Sequence, residues 1–172
     1  HQMRISKSSV VVYGAIFLLL YPSIVGVIQI ANIATQPESD EFPTSCDDSP
    51  YNCSRIAPNS HRSTGESELR FSNTSLLSIS NSIDLWISEN SLAKEVYRNE
   101  GVKMEVHIVV KTNLLRFADD LFFHVECDGP DAVVWIHSES RLGVSDVGTN
   151  GERIEDIKDK LTQNSVVGTS CS

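Results

Sequence analysis

The sequence predicts an α+β chain, one N-terminal transmembrane helix followed by a small antiparallel sheet flanked by helices. Three observations carry that prediction. No residue between Ser8 and Pro37 is charged. Apolar residues recur at spacings of three and four over 76–97 and again over 150–161. They alternate instead over 104–110, with strand-like runs at 114–126 and 132–138. A length of 172 residues has room for one domain plus an anchor. The expected divisions are a short basic segment at 1–8, the transmembrane helix at 9–33, a linker at 34–45 and a soluble acidic domain at 46–172.

Lipid dictates the first element. About 20 apolar residues at about 1.5 Å each cross a hydrocarbon layer of about 30 Å, and only a helix pairs all its backbone groups there. The run is too long for a cleaved signal peptide, and Gln29 and Asn32 fit poorly where a peptidase would cut. Pro22 falls within the span, and Gly14, Ala15, Ser23 and Gly26 are small enough to let another helix approach. Arg4 and Lys7 precede the helix, whereas Glu38, Asp40 and Glu41 follow it. The positive-inside rule then places the acidic domain on the lumenal, periplasmic or intermembrane side. A start at His1 fits removal of an upstream targeting peptide and fits a trimmed chain equally well.

Prolines and acids over 34–45 read as an extended linker, and turn formers dominate 46–68. Next come an amphipathic helix over 76–97, three strands, and a last helix over 150–161 with Asn150 placed to cap it and Glu152 in its first turn. The net charge is −9, and residues 38–172 alone carry −11. Such a domain is repelled by phosphate backbones, so nucleic acid is excluded as a partner.

Four cysteines on the oxidising side suggest disulfides. A Cys46–Cys53 bond would close a short loop, although four cysteines allow three pairings. The gap between Cys46 and Cys53, with no second close pair, does not match zinc-ligand spacing. His107, His124 and His137 each lie on an expected strand, but convergence does not follow from that, and no metal is expected. No nucleophile elbow and no phosphate-binding glycine loop is present, so no catalytic residue is assigned. Asn52-Cys53-Ser54 and Asn73-Thr74-Ser75 match the glycosylation acceptor pattern.

The most distinctive stretch runs Ser138-Glu139-Ser140-Arg141-Leu142-Gly143-Val144-Ser145-Asp146-Val147-Gly148-Thr149-Asn150-Gly151-Glu152-Arg153-Ile154. With Phe117-Ala118-Asp119-Asp120 and the opening from Cys46 through Pro50 and Asn52 to Cys53, it resembles the bacterial and plastid-associated family called domain of unknown function 1499. Tyr51 stands between Pro50 and Asn52 where that family runs Pro-Asn directly, and Phe122 stands where an acidic residue commonly follows the Asp pair. On physical grounds Asp119 and Asp120 could pair with Arg141 and Arg153 to hold the glycine-rich loop, with Asp146 and Asn150 organising the helix start. A site for an anionic ligand is the competing expectation.

Two functions are therefore weighed. The first is a non-catalytic accessory subunit packed by its helix against integral membrane subunits. The resemblance, through its plastid-bearing members, implies a thylakoid photosystem–antenna host, with a mitochondrial respiratory complex as the alternative. The second is an anchored enzyme or anionic-ligand domain using the Arg141, Asp146 and Arg153 loop. No cofactor is expected, and pigments or lipids are the molecules the transmembrane helix could touch.

Overall fold

A computed structural model describes residues 7–46, 50–62, 65–143, 145–165, 168 and 170–171, with side chains described in the first helix at Tyr13 and from Ile16 onward. Helix α1 (Lys7–Ala34) is continuous through Pro22. Its segment Ile16–Ala34, with a mean hydropathy of 2.0, is long and apolar enough to cross a membrane. The fold beyond it is the expected α+β arrangement of an antiparallel sheet with two further helices.

That sheet has six strands where three were expected. They are β1 (Cys53–Ile56), β2 (Leu69–Phe71), β3 (Ala93–Glu100), β4 (Lys103–Lys111), β5 (Ala118–Asp128) and β6 (Asp131–Ser140). The order is β1-β6-β5-β4-β3, with β2 also paired to β6. β1 and β2 have four and three residues, too short to display alternation among turn formers. β3 corrects the helix expected over 76–97. Helix α2 (Leu76–Glu89) stops at Asn90, whose side-chain amide donates to the Trp86 carbonyl at 2.8 Å. A register shift between Glu95 and Tyr97 breaks the two-residue period of β3. That bulge leaves Ala93, Val96 and Tyr97 at a spacing that imitates a helix.

The two faces of the sheet differ. Ile108, Leu121, Phe123, Val134 and Ile136 point to one face and pack beneath α2 and α3 (Thr149–Asn164), with Ile79, Ile83, Ile154 and Leu161. Trp86 Nε1 donates to Asp156 Oδ2 at 2.7 Å and ties the two helices together. The opposite face carries Arg55, His107, Phe122, His124, Trp135 and His137. Residues 37–46 cross it without regular secondary structure and are tied down by Asp40 and Phe42. Phe42 lies among the rings of His124, Trp135 and His137, 6.0–6.1 Å away between centroids, with the Arg55 guanidinium 5.5 Å over it. Disulfides Cys46–Cys53 and Cys127–Cys171 close the two ends of the domain.

Candidate functional site

Adjacent residues of a strand point to opposite faces, so Asp119 and Asp120 enter two different networks. Asp119 faces α3. Its Oδ2 accepts from Arg153 Nη2 at 2.5 Å, while Arg153 Nη1 donates to Ser138 Oγ at 2.8 Å and Asn150 Oδ1 at 2.6 Å. Asn150 is fully enclosed, and its side-chain amide donates to the Asn52 carbonyl at 2.7 Å and Ser140 Oγ at 3.0 Å. Asn52 in turn donates through Nδ2 to the Gly143 carbonyl.

Asn150 does not cap α3, as the sequence had suggested. Gly148 occupies the N-cap with φ +93°, and the capping carboxylate is that of Asp146. Asp146 accepts from the Gly148 and Asn150 amides, each at 3.0 Å, and from Arg62 Nη2 at 2.9 Å. Burial pushes the Asp146 carboxyl up, but the two amides and Arg62 outweigh it and leave it below the usual carboxylate range.

Asp120 serves the other face. Arg141 grips both its oxygens, Nε to Oδ2 and Nη2 to Oδ1, each at 2.7 Å. His107 Nε2 lies 2.7 Å from Oδ1, and His107 Nδ1 lies 2.6 Å from Asp40 Oδ1 in the crossing segment. Burial would raise the Asp120 carboxyl, yet the Arg141 fork and His107 hold it below its ordinary range. The remaining Arg141 nitrogen, Nη1, donates to the Asn32 carbonyl at 3.0 Å and so reaches α1.

Helix α1 is bonded to the domain along one stripe. Tyr21, Gln29 and Asn32 stand on the same side of a 3.6-residue helix. Tyr21 Oη donates to the Leu114 carbonyl at 2.6 Å, and Gln29 and Asn32 donate to the Arg116 carbonyl at 3.0 and 2.8 Å. Lys111 Nζ donates to Gln29 Oε1 at 2.9 Å, and the Ala118 amide donates to Asn32 Oδ1 at 3.2 Å. Of the small residues, Ser23 is exposed and bonds the Leu19 carbonyl of its own helix, while Gly26 has open space where a side chain would stand. The side chains at Gly14 and Ala15 lie outside the described residues.

The six loop candidates thus fall into one framework, though not one pocket. A cleft of about 240 Å³ opens beside 142–149 and is lined by Asp119, Ser140, Ser145 and Asp146 among others, without Arg141 or Arg153. The three histidines do not converge. His107 stacks on Phe122 at 4.1 Å, His124 stacks on Trp135 at 4.6 Å, and Phe122 meets His137 edge-on at 6.0 Å. Phe122 thus packs against two imidazoles, those of His107 and His137. Of the glycosylation patterns, Asn52 is buried and hydrogen-bonded, whereas Asn73 is exposed in a turn.

Sequence reasoning missed Arg62, Asp40, Gln29 and Asn32 as members of this framework. Gln29 and Asn32 had a signal: two amides on one side of an otherwise apolar helix. Arg62 had none, because its positive-φ turn (φ 49°) sits in a segment without periodicity.

The Cys46–Cys53 opening, the 117–120 segment and the 138–154 stretch all meet in this framework. A family profile described as a protein of unknown function, DUF1499, matches residues 42–161, and the three segments lie inside that range. No curated protein and no solved structure matches. With the greater part of its length covered and its shared segments joined in one bonded framework, this chain belongs to the DUF1499 family.

Proposed function

We propose that this protein is a non-catalytic, single-pass accessory subunit of a membrane protein complex, with its acidic domain on the lumenal or equivalent side. The observation that carries the reading is the two-sided end of α1. The helix has 28 residues, about 42 Å, against an apolar layer of about 30 Å. The stretch apolar enough to cross that layer, Ile16–Ala34, includes the last turns of the helix. Those turns bond the domain through Gln29 and Asn32 on one side. On the other, Val27, Ile30 and Ile33 are 67, 70 and 66 % exposed. An apolar stripe opposite a face already bonded to the domain is free to take a partner helix.

The paired carboxylates agree with this reading. Asp119, Asp120, Asp146, Arg141 and Arg153 bond one another, the backbone or neighbouring side chains. They serve the fold rather than a substrate. Support for a thylakoid photosystem–antenna host is the plastid-bearing membership of the resembling family. A mitochondrial respiratory complex is the second host. The alternative of an anchored enzyme or anionic-ligand domain has the 240 Å³ cleft in its favour, but neither arginine lines that cleft.

The test is native electrophoresis of membranes solubilised in mild detergent. The chain is expected to migrate within a larger assembly, and Val27→Ser with Ile30→Ser and Ile33→Ser is expected to release it while leaving it in the membrane. Migration alone for the unaltered chain overturns the proposal.

A further inference from the structure

The turn between β4 and β5, residues 112–117, lies along α1 rather than standing free of it. Its Leu114 carbonyl accepts from Tyr21 Oη at 2.6 Å, and its Arg116 carbonyl accepts from Gln29 and Asn32 at 3.0 and 2.8 Å. Tyr21 stands fourteen residues, or about 21 Å, beyond Lys7. The hydrocarbon layer is about 30 Å thick. A layer that begins at the charged end of the helix near Lys7 therefore encloses Tyr21. A layer that covers the stretch Ile16–Ala34 encloses it as well. Either placement brings the tip of the turn to the level of lipid.

The turn is built for that level. Hydrocarbon offers backbone groups no hydrogen bonds, so a turn that enters it needs its partners within the protein. The Thr112 amide donates to the Phe117 carbonyl at 2.9 Å, and the Phe117 amide donates to Thr112 Oγ1 at 3.0 Å. The Leu114 and Arg116 carbonyls are taken by α1 itself. Leu114 is nonetheless 67 % exposed. The segment from Val106 to Ala118 carries Lys111 and Arg116 and no acid, although residues 38–172 as a whole carry −11. Lys111 Nζ reaches Gln29 Oε1 at 2.9 Å, eight residues or about 12 Å nearer the end of α1 than Tyr21. An apolar tip thus lies further down the helix than the basic groups above it. Hydrocarbon and headgroup phosphates follow one another in that same order.

We infer that the 112–117 turn is a second membrane contact of this protein. Leu114 enters the edge of the hydrocarbon layer, and Lys111 and Arg116 meet the phosphates of anionic headgroups. The acidic remainder of the domain is repelled by such a surface, so the basic turn is the side that approaches it. The inference rests on the membrane-spanning reading of α1 and adds lipid contact by the domain itself.

The test uses the full chain in vesicles of phosphatidylcholine and phosphatidylglycerol, with acyl-chain-brominated lipid as quencher and Leu114→Trp as reporter. After subtraction of the unaltered chain's emission, the added tryptophan is expected to emit to the blue of a water-exposed indole. It is also expected to lose most of that emission to the brominated lipid. Val102→Trp, at the opposite end of β4 where Val102 is 96 % exposed, is expected to keep its emission. Arg116→Glu combined with Leu114→Trp should reduce the quenching several-fold when phosphatidylglycerol is present; no reduction overturns the headgroup contact. Should Leu114→Trp lose its cooperative thermal unfolding, Asn113→Trp in the same turn decides. Alkaline carbonate extraction of the same vesicles separates this inference from the reading beneath it. A chain that washes off refutes the spanning helix and the inference with it. A chain that stays while the added tryptophan is unquenched overturns the turn contact alone, and so does equal quenching at positions 114 and 102.

Discussion

Removing the Arg141 guanidinium should be among the most damaging single changes in the domain. Arg141 occupies both oxygens of a carboxylate whose side chain is 1 % exposed, and it also bonds the Asn32 carbonyl of α1. Arg141→Ala leaves Asp120, a buried carboxylate, with His107 as its remaining side-chain partner. Stripping one member from a buried ion pair costs about 3–5 kcal/mol. A typical domain has about 5–15 kcal/mol in all. At roughly 4 °C per kcal/mol for a domain of this size, the midpoint should fall by about 12–20 °C. Thermal unfolding of the full chain in detergent, followed by near-ultraviolet circular dichroism, measures this. The double variant Asp120→Leu with Arg141→Met removes both charges and should recover most of the loss, because apolar replacement of a buried pair is often neutral. The reasoning fails if Arg141→Ala unfolds within about 0.5 kcal/mol of the unaltered chain, the value expected of an unimportant surface change. A fold left intact together with lost phosphate binding would favour the ligand reading instead.

Two further outcomes are expected. Asp120 and Asp146 both have carboxyls held below their ordinary range in the folded state. The unfolded chain therefore binds protons first, and their stabilisation is complete above the unfolded value of about 3.9 and disappears as pH falls through the depressed folded values. A pH series of unfolding midpoints should decline on the acid side, and Asp146→Asn should flatten that decline; parallel curves for the two proteins would count against it. Gly148→Ala should cost about 1–2 kcal/mol, because φ is +93° while an added Cβ meets no atom within 4 Å, so the penalty is backbone alone. A urea midpoint unchanged at constant slope would contradict that.

The sequence made some elements legible for physical reasons that also explain the failures. Helix α1 is a long uncharged run of apolar residues and β4 shows clean alternation, so length in the one and period in the other are written directly into residue type. β3 is an edge strand with a bulge, and its side chains face both water and α2, so its period is blurred. β1 and β2 are set by pairing to β6, and long-range pairing leaves no local mark. The acid and arginine candidates were readable as a set because their partners are charged. Which arginine serves which aspartate was not readable, since it depends on Asp119 and Asp120 facing opposite sides of the sheet. The aromatic cover over the outer face was hidden for a similar reason: Phe42 lies in a proline-bounded segment that packs only because His124, Trp135 and His137 lie beneath it.

The bonds between α1 and the domain change what kind of anchor the helix can be. A flexible linker would let the domain reorient freely above the bilayer, but here the chain leaves the helix at Ala34 and is at once fixed by Asp40, Phe42 and Cys46. Arg141 joins the Asn32 carbonyl to Asp120 in the middle of the sheet, so the helix end and the strands move together. The β4–β5 turn meets the helix as far back as Tyr21, thirteen residues or about 20 Å before its end at Ala34. There Leu114 is 67 % exposed and its carbonyl is already bonded to the tyrosine hydroxyl. The orientation of the domain on the helix is thereby set by side chains. On the proposed reading, a partner seated on Val27, Ile30 and Ile33 would meet the domain at one angle, a fixed presentation that suits a structural subunit.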